Sequence, residues 1–338
     1  MTELTEADRA HAVRRAQRHA AAAALLREPP PLDARPGHRI LAARGDVVHA
    51  SRSRPVVRWD LDLATPDGKR ARLSVIGKAF VAGGGERAWW LLRELRSAGF
   101  DDRHLQVPEP LGFDPARQLL AQEEAPAGTL YERLRRDPSH ALPAVGRVAG
   151  WLARLHAVPD FGLGVLPATF ESDKLAEYAA ALGGELPEHA RRIDALTATT
   201  VRRLGEAADV ARVVTHGDFQ PKNIHLDDER VVVIDFDRAS LAPAARDLGH
   251  FVGQSLTMAA SVHGHLDAAG SWARTFLRAY VSAGGDYRAA EATPGYVART
   301  FAEVLYYRLV VRPVGTHAFV ADWLDAWERH LEGGGALS

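Results

Sequence analysis

The strongest constraint on the fold is a change of texture at Ala125-Pro126-Ala127-Gly128. Before it, apolar and polar residues alternate at period two. Strand texture begins at Arg39, Val57-Arg58-Trp59-Asp60-Leu61-Asp62-Leu63 reads as one strand, Pro66-Asp67-Gly68-Lys69 as a turn, and Arg72–Phe80 as the returning strand of a hairpin. Gly83-Gly84-Gly85 breaks the pattern, and Glu86–Ser97 follows as a helix with Trp89, Leu92 and Leu95 at helical spacing. Beyond the joint Val107-Pro108-Glu109-Pro110, Leu111–Phe113 and Gln118–Gln122 are two more short strands, giving five strands with one inserted helix. After residue 128 the period becomes helical, as in the stripe Val145, Val148, Ala149, Leu152, Leu155 and His156. One β interruption remains: Arg212–Thr215, then Asn223–Leu226 and Val231–Asp235 joined by an Asp227-Asp228 turn. This predicts an α+β chain with two lobes, a small antiparallel β lobe over 32–124 and a larger, mainly helical lobe over 125–338. A helical extension precedes them over 1–31. Its helix, Thr5–Leu26, is capped by Thr5, stopped by Pro29-Pro30-Pro31 and expected to pack on the domain that follows.

Composition narrows the function classes. A formal charge of −1 over 338 residues gives no electrostatic reason to expect nucleic acid or an anionic membrane as partner. Cysteine is absent, so disulfides, thiolate metal sites and cysteine nucleophiles are excluded. No apolar run can span a bilayer, and the acids Glu3, Glu6 and Asp8 stand where a signal peptide needs positive charge, so a cytoplasmic chain is expected. Only four lysines occur among 42 basic residues, which draws attention to Lys78 and Lys222.

The chemistry concentrates in Val214-Thr215-His216-Gly217-Asp218-Phe219-Gln220-Pro221-Lys222-Asn223 and Val231-Val232-Val233-Ile234-Asp235-Phe236-Asp237. Phosphoryl transfer asks little covalent help of a protein. It needs a carboxylate beside the attacking hydroxyl, and metal ions on the phosphates held by a second carboxylate and an amide oxygen. Asp218 follows a short strand, Asn223 comes five residues later and Asp235 ends the next strand. A tight hairpin would bring Asn223 and Asp235 together as oxygen ligands for Mg²⁺, with Asp218 facing the same site.

With these residues in view, the chain resembles the aminoglycoside phosphotransferase and choline kinase group, small-molecule kinases with a protein-kinase-like fold. Their His-Gly-Asp, Asn five residues on, and Asp-Phe or Asp-Trp followed by an acid are met by His216, Gly217, Asp218, Asn223, Asp235, Phe236 and Asp237. The resemblance implies Asp218 as catalytic base or orienting carboxylate, Asn223 and Asp235 as Mg²⁺ ligands, and His216 as a structural residue of the loop. It implies Lys78 on the ATP phosphates with Glu86 as its ion-pair partner, Glu94 being the fallback. Leu119–Ala125 would form the adenine-reading linker, with Gln122 and Glu124 as its nucleotide-binding residues, His156 would be a packed histidine, and Asp247 would brace the catalytic loop. The glycine-rich phosphate loop is missing. In its place stands His49-Ala50-Ser51-Arg52-Ser53, where Ser51 and Ser53 could touch phosphate. Lys222 matches no family role and would face substrate or solvent.

The function expected is therefore transfer of the ATP γ-phosphate, with Mg²⁺, to a hydroxyl of an aminoglycoside-type antibiotic or a related sugar or amino-alcohol. A protein substrate is disfavoured, because Asp235 and Asp247 stand too close in sequence for a long activation segment. A catalytically weak nucleotide-binding regulator is the rival from another class, supported only by the missing glycine loop. The aromatics Trp272, Tyr280, Tyr306, Tyr307, Trp323 and Trp327 read mostly as core. His263-Gly264-His265 reads as a solvated loop and not as a metal site.

Overall fold

The computed structural model describes residues 17–206, 211–314 and 316–333. The chain divides into two compact units, Met1–Pro126 and Ala127–Ser338. Residues 5–16 of the expected N-terminal helix lie outside the described residues; 17–25 are helical (α1), and Leu25 joins the sheet's apolar core.

In the first unit β1 (Arg39–His49), β2 (Val56–Ala64), β3 (Arg70–Ala79), β5 (Pro110–Asp114) and β6 (Leu119–Glu123) form a sheet in the order β1-β2-β3-β6-β5, with every pair antiparallel. The period-two pattern explains it. Val57, Trp59, Leu61, Leu63, Val75, Ala79, Leu119 and Ala121 fall on one face and are buried there together. The opposite face carries charge: Arg58 donates to both Glu124 carboxylate oxygens at 2.8 Å and to Asp60 at 2.7 Å. The β2–β3 turn closes at Gly68, whose φ of 83° is open only to a residue without Cβ strain. Two register shifts in β1 bend the sheet edge. A short β4 (Leu105–Gln106) precedes β5, and α2 (Gly85–Ser97) starts one residue after Gly84, with Ala88, Leu91, Leu92 and Leu95 buried and Trp89 only half-buried.

The second unit opens with α3 (Leu130–Arg136), held by a capping box in which Thr129 and Glu132 satisfy each other's backbone N–H. Next come α4 (Leu142–His156), α5 (Phe170–Glu185), α6 (Ala190–Glu206), β7 (Arg212–Thr215), β8 (Ile224–Leu226), β9 (Val231–Val233) and β10 (Ser240–Pro243). The chain continues through α7 (Ala245–His263), α8 (Gly270–Ser282), α9 (Tyr287–Glu291), α10 (Thr293–Tyr306) and α11 (Val320–Glu332). Trp272, Tyr280, Trp323 and Trp327 are buried, and Tyr307 is exposed. β8 and β9 form the expected hairpin, but both are shorter than the sequence suggests, because Pro221–Asn223 is a 3₁₀ turn and β9 stops at Val233. β7 pairs with β10, a strand of sequence Ser-Leu-Ala-Pro that has no period-two signal.

Two glycines fix the geometry behind the site. A Cβ on Gly249 would lie 2.2 Å from the Tyr296 Cβ, and one on Gly253 would lie 2.6 Å from the Thr300 Cβ. Spaced four apart on one face of α7, they let α7 and α10 meet almost backbone to backbone.

Candidate active site

The loop between β7 and β8 is held from beneath. Asp247, fully buried in the first turn of α7, accepts the backbone N–H of His216 at 2.7 Å and of Gly217 at 2.8 Å. It also accepts from His156 Nε2 at 3.2 Å, and the Nδ1 of that ring meets the Tyr280 hydroxyl at 2.9 Å. Burial alone would raise the Asp247 carboxyl, but the hydrogen bond and charge of His156 hold it below the usual carboxylate range. Gly217 has φ 81°, and a Cβ there would stand 2.2 Å from the Arg238 carbonyl oxygen and 2.6 Å from Arg246 Nη1. Glycine is therefore required in His-Gly-Asp by both strain and space.

His216 locks the next turn. Its Nδ1 accepts the Asp218 N–H at 3.1 Å, which leaves Nε2 as the protonated nitrogen, and Nε2–H donates to the Ile234 carbonyl at 2.9 Å. The ring thereby ties the Asp218 loop to the end of β9. Phe236 packs on the His216 ring at 4.6 Å between centroids, which accounts for an aromatic residue after Asp235. Asp235 itself has φ 71°, a left-handed conformation uncommon outside glycine and concentrated at functional sites. The Asn223 carbonyl accepts the Ile234 N–H at 3.0 Å, so Asn223 and Asp235 leave the hairpin one residue apart in register.

Asp218 stands at the focus of this frame. Its Oδ1 accepts from His250 Nε2 and Gln220 Nε2, both at 3.0 Å, and its Oδ2 accepts from Asn223 Nδ2 at 3.2 Å. A carboxylate has about four lone-pair sites, so one position on Oδ2 stays open. Burial would raise this carboxyl, but the hydrogen bond and charge of His250, then the charge of Arg238, hold it far below its ordinary value. It is ionised and acceptor-only near neutral pH. Because Asn223 Nδ2 is committed to Asp218, its Oδ1 is the amide atom left to meet a cation.

Behind His250 runs a buried ion chain that the sequence reading did not find. The His250 Nδ1 lies 3.7 Å from Glu303, which also pairs with Arg299 and with Arg238 at 3.3 Å. Glu171 of α5 then bridges Arg299 at 2.6 Å and Arg246 at 2.7 Å. Burial opposes ionisation of Glu303, yet Arg299, His250 and Arg238 bring it down to about 2. The only sequence signals were the i, i+4 pair Arg299–Glu303 and the Gly249/Gly253 spacing that makes room for it.

Asp218 opens into a cavity of about 490 Å³ in this unit, walled by His250, Gln254, Thr257, Met258 and Ser261 of α7 and by Glu303 and Val304 of α10. Tyr307 and Arg308 follow from a π-helical turn, Tyr307–Val311, and Lys222 and Tyr131 complete the rim.

The other sequence candidates lie in the first unit. Lys78 pairs with Val56 and Leu120, and Gln122 with Ile76, which puts both on the sheet face opposite the apolar core. The Lys78 ammonium lies 5.3 Å from the Phe80 ring centre. Ser51 Oγ accepts from the N–H groups of Ser53 (3.4 Å) and Arg54 (3.2 Å), so that hydroxyl closes its own turn, and the Ser53 carbonyl accepts the Val81 N–H at 3.1 Å. Glu124 has its carboxylate on Arg58 and its N–H on the Ser74 carbonyl at 3.1 Å. Glu86 is exposed in the first turn of α2, and Glu94 is half-buried beside Leu95.

Comparison with known proteins agrees with this architecture. A family model described as the phosphotransferase enzyme family matches residues 85–292. No curated protein sequence matches the chain. Among solved structures, a choline/ethanolamine kinase family protein from Mesorhizobium loti aligns at 15% identity over 94% of this chain and 95% of its own, with a TM-score of 0.57. A thermostable mutant of an aminoglycoside phosphotransferase, in ternary complex with ADP and hygromycin B, aligns at 17% identity over 86% and 95%, with a TM-score of 0.59. Glucosamine kinase in complex with glucosamine, ADP and inorganic phosphate aligns at 18% identity over 92% and 81%, with a TM-score of 0.51. At these identities the likeness shows the fold: α+β and protein-kinase-like, with an N-terminal antiparallel sheet and a mostly helical C-terminal part.

Proposed function

Since the chain belongs to the phosphotransferase enzyme family and is a small-molecule kinase, we propose that it transfers the γ-phosphate of ATP to a hydroxyl of a sugar-like acceptor bound in the cavity beside Asp218. The observation that carries this reading is that Asp218, which keeps one Oδ2 position without a partner, lines a cavity rich in hydrogen-bonding side chains. An incoming hydroxyl would donate to that oxygen. Its own oxygen then forms the bond to the γ-phosphorus, the bond from that phosphorus to the β,γ-bridging oxygen breaks, and ADP leaves with the electron pair. A carboxylate held this far below its usual range is a weak base. Asp218 therefore acts chiefly by orienting the hydroxyl and receives its proton late, as suits a loose transition state.

Mg²⁺ fits the residues present. Asn223 Oδ1 and the Asp235 carboxylate offer two hard oxygens at the end of one hairpin, and Mg²⁺ is commonly held by one or two protein oxygens with phosphates and water supplying the rest. When bound, it would neutralise charge on the β- and γ-phosphates. Lys78 would add a point charge on phosphate, with Glu86 as the partner that steadies it. Ser51 and Ser53 would stand in for the missing glycine loop, and the stretch from Gln122 to Glu124 would meet adenine. Within that stretch the N–H groups of Glu123 and Glu124 already have partners, the Glu109 and Ser74 carbonyls, so adenine would have to be read by other groups of the stretch. Of the acceptors expected from the sequence, an aminoglycoside-type antibiotic, a sugar or an amino-alcohol, the cavity lining favours a hydroxyl-rich one.

The test is ADP release across such acceptors, comparing wild type with Asp218→Asn. The substitution should leave folding and Mg·ATP binding intact while kcat falls by roughly 10²-fold or more. Near-normal turnover would overturn the assignment. Asp235→Ala should abolish Mg²⁺-dependent ATP binding in calorimetry.

A further inference from the structure

The charges around the cavity are unevenly satisfied. Its two acids are both engaged: Glu303 with Arg299, Arg238 and His250, and Asp218 with His250, Gln220 and Asn223, only one Oδ2 position being left for the acceptor hydroxyl. Two of its cations are not. Among the described residues neither Lys222 nor Arg308 has a carboxylate oxygen within 4.0 Å. The Lys222 ammonium rests 5.1 Å from the Tyr131 ring centre. Arg308 is held by its surroundings: its guanidinium lies 4.8 Å over Phe319 and 5.3 Å over Trp323, Nη1 donates to Ser261 Oγ at 2.6 Å, and Nε is buried without a partner. A guanidinium fixed in this way is preorganised for a carboxylate or phosphate oxygen. It stands on the π-helical turn Tyr307–Val311, a distortion that proteins keep mostly at functional sites.

A polycationic acceptor would meet two unneutralised cations here, and the one open carboxylate position, on Asp218, is the one its hydroxyl must take. We therefore propose that the acceptor carries an anionic group, a carboxylate or a phosphate, which Lys222 and Arg308 hold while one of its hydroxyls faces Asp218. The proposal rests on the phosphotransferase reading of the same cavity and adds the charge of its substrate. Phosphoryl transfer proceeds with the same bonds formed and broken; only the anchoring of the acceptor is new.

The experiment uses acceptors matched in size: gluconate, glucuronate and glucose 6-phosphate as anions, glucose as the neutral reference, and glucosamine, choline and kanamycin as cations. Binding to the Mg·ADP complex is measured by calorimetry, and ADP release is measured with Mg·ATP. At least one anion should bind about 10-fold or more tighter than glucose, with glucosamine weaker than glucose. The gluconate and glucose 6-phosphate arms separate carboxylate from phosphate recognition. Lys222→Gln, at an exposed position where folding is safe, and Arg308→Gln should each bring the anion-to-glucose ratio towards one, and Arg308→Glu should favour glucosamine. Equal affinity across the series, failure of every anion to bind, or tighter binding of a cation would overturn the proposal. ADP release with glucosamine or kanamycin and none with anions would overturn it while leaving the phosphotransferase reading standing. Selective anion binding without ADP release from any acceptor would support the charge assignment and strike the phosphotransfer reading instead.

Discussion

The two units hold their candidate residues by opposite means. In the C-terminal unit the His216–Asp218 loop is fixed by side-chain partners: Asp247 on two backbone N–H groups, the His216 ring on a third, and His250, Gln220 and Asn223 on the Asp218 carboxylate. In the N-terminal unit Lys78 and Gln122 take their places from strand register over an apolar face. A network transmits damage to the backbone, whereas a register position confines it to one side chain. Changes to the residues that hold the Asp218 loop from behind should therefore cost stability and activity together, and changes around Lys78 should cost affinity alone.

The sharpest way to break this contrast is Glu171→Ala. It strands Arg246 and Arg299 in the interior, and loss of one partner from a buried ion network costs about 3–5 kcal/mol. Denaturant unfolding measures it, and a loss below about 1 kcal/mol would show that the chain bears no weight. The same chain sets acid sensitivity. The Glu303 carboxyl is held down to about 2 from an ordinary 4.5, so its contribution to stability is complete above the ordinary value and is lost as pH falls towards 2. The melting temperature should drop through that window, and Glu303→Gln should flatten the drop.

Gly217→Ala comes next. Left-handed strain and overpacking against the Arg238 carbonyl together should cost about 2–4 kcal/mol, with turnover lost even in the folded fraction. Lys78→Met should then raise the KM for ATP by about 10-fold or more, as for loss of a charged hydrogen bond. Its unfolding free energy should stay within about 0.5 kcal/mol of wild type, as for surface changes. Lys78→Arg should fail similarly, because a guanidinium fork is bulkier and differently directed. Glu86→Gln should be a milder version, with Glu94→Gln near neutral; the reverse order would move the ion-pair role to Glu94. The smallest effects belong to Ser51→Ala and Ser53→Ala, each expected to leave the KM for ATP within about 5-fold, since the Ser51 hydroxyl closes its own turn and a single hydrogen bond is worth roughly 1 kcal/mol.

What was legible in the sequence follows the same division. Alternation placed β2 and β3 because a two-sided sheet writes its faces into every second residue, and the hairpin of Asn223 and Asp235 was legible from spacing. β10 was not, because a four-residue buried strand ending in proline leaves no period to read. His250, Glu171, Arg299 and Glu303 were missed for a different reason. Each is a polar residue on a helix, where a solvated face and a buried ion chain look alike until three helices are packed. Glu124 illustrates the converse: its place in the chain marked it for nucleotide, while its carboxylate turns to Arg58 across the sheet. Residues 5–16, expected as helix, stand outside this comparison.

The close approach of α7 and α10 at Gly249 and Gly253 bears on how this enzyme could change its substrate. Two cavity walls are joined at main-chain distance, so the breadth of the opening is a property of the scaffold, and no side-chain replacement along the seam can widen it without prying the helices apart. Variation in acceptor size must come from the inward-facing positions Gln254, Thr257, Met258, Val304 and Tyr307. Divergence between relatives that act on different acceptors should accordingly gather at those five positions, with the glycine seam left untouched. A library confined to them would explore new acceptors while leaving the glycine seam intact.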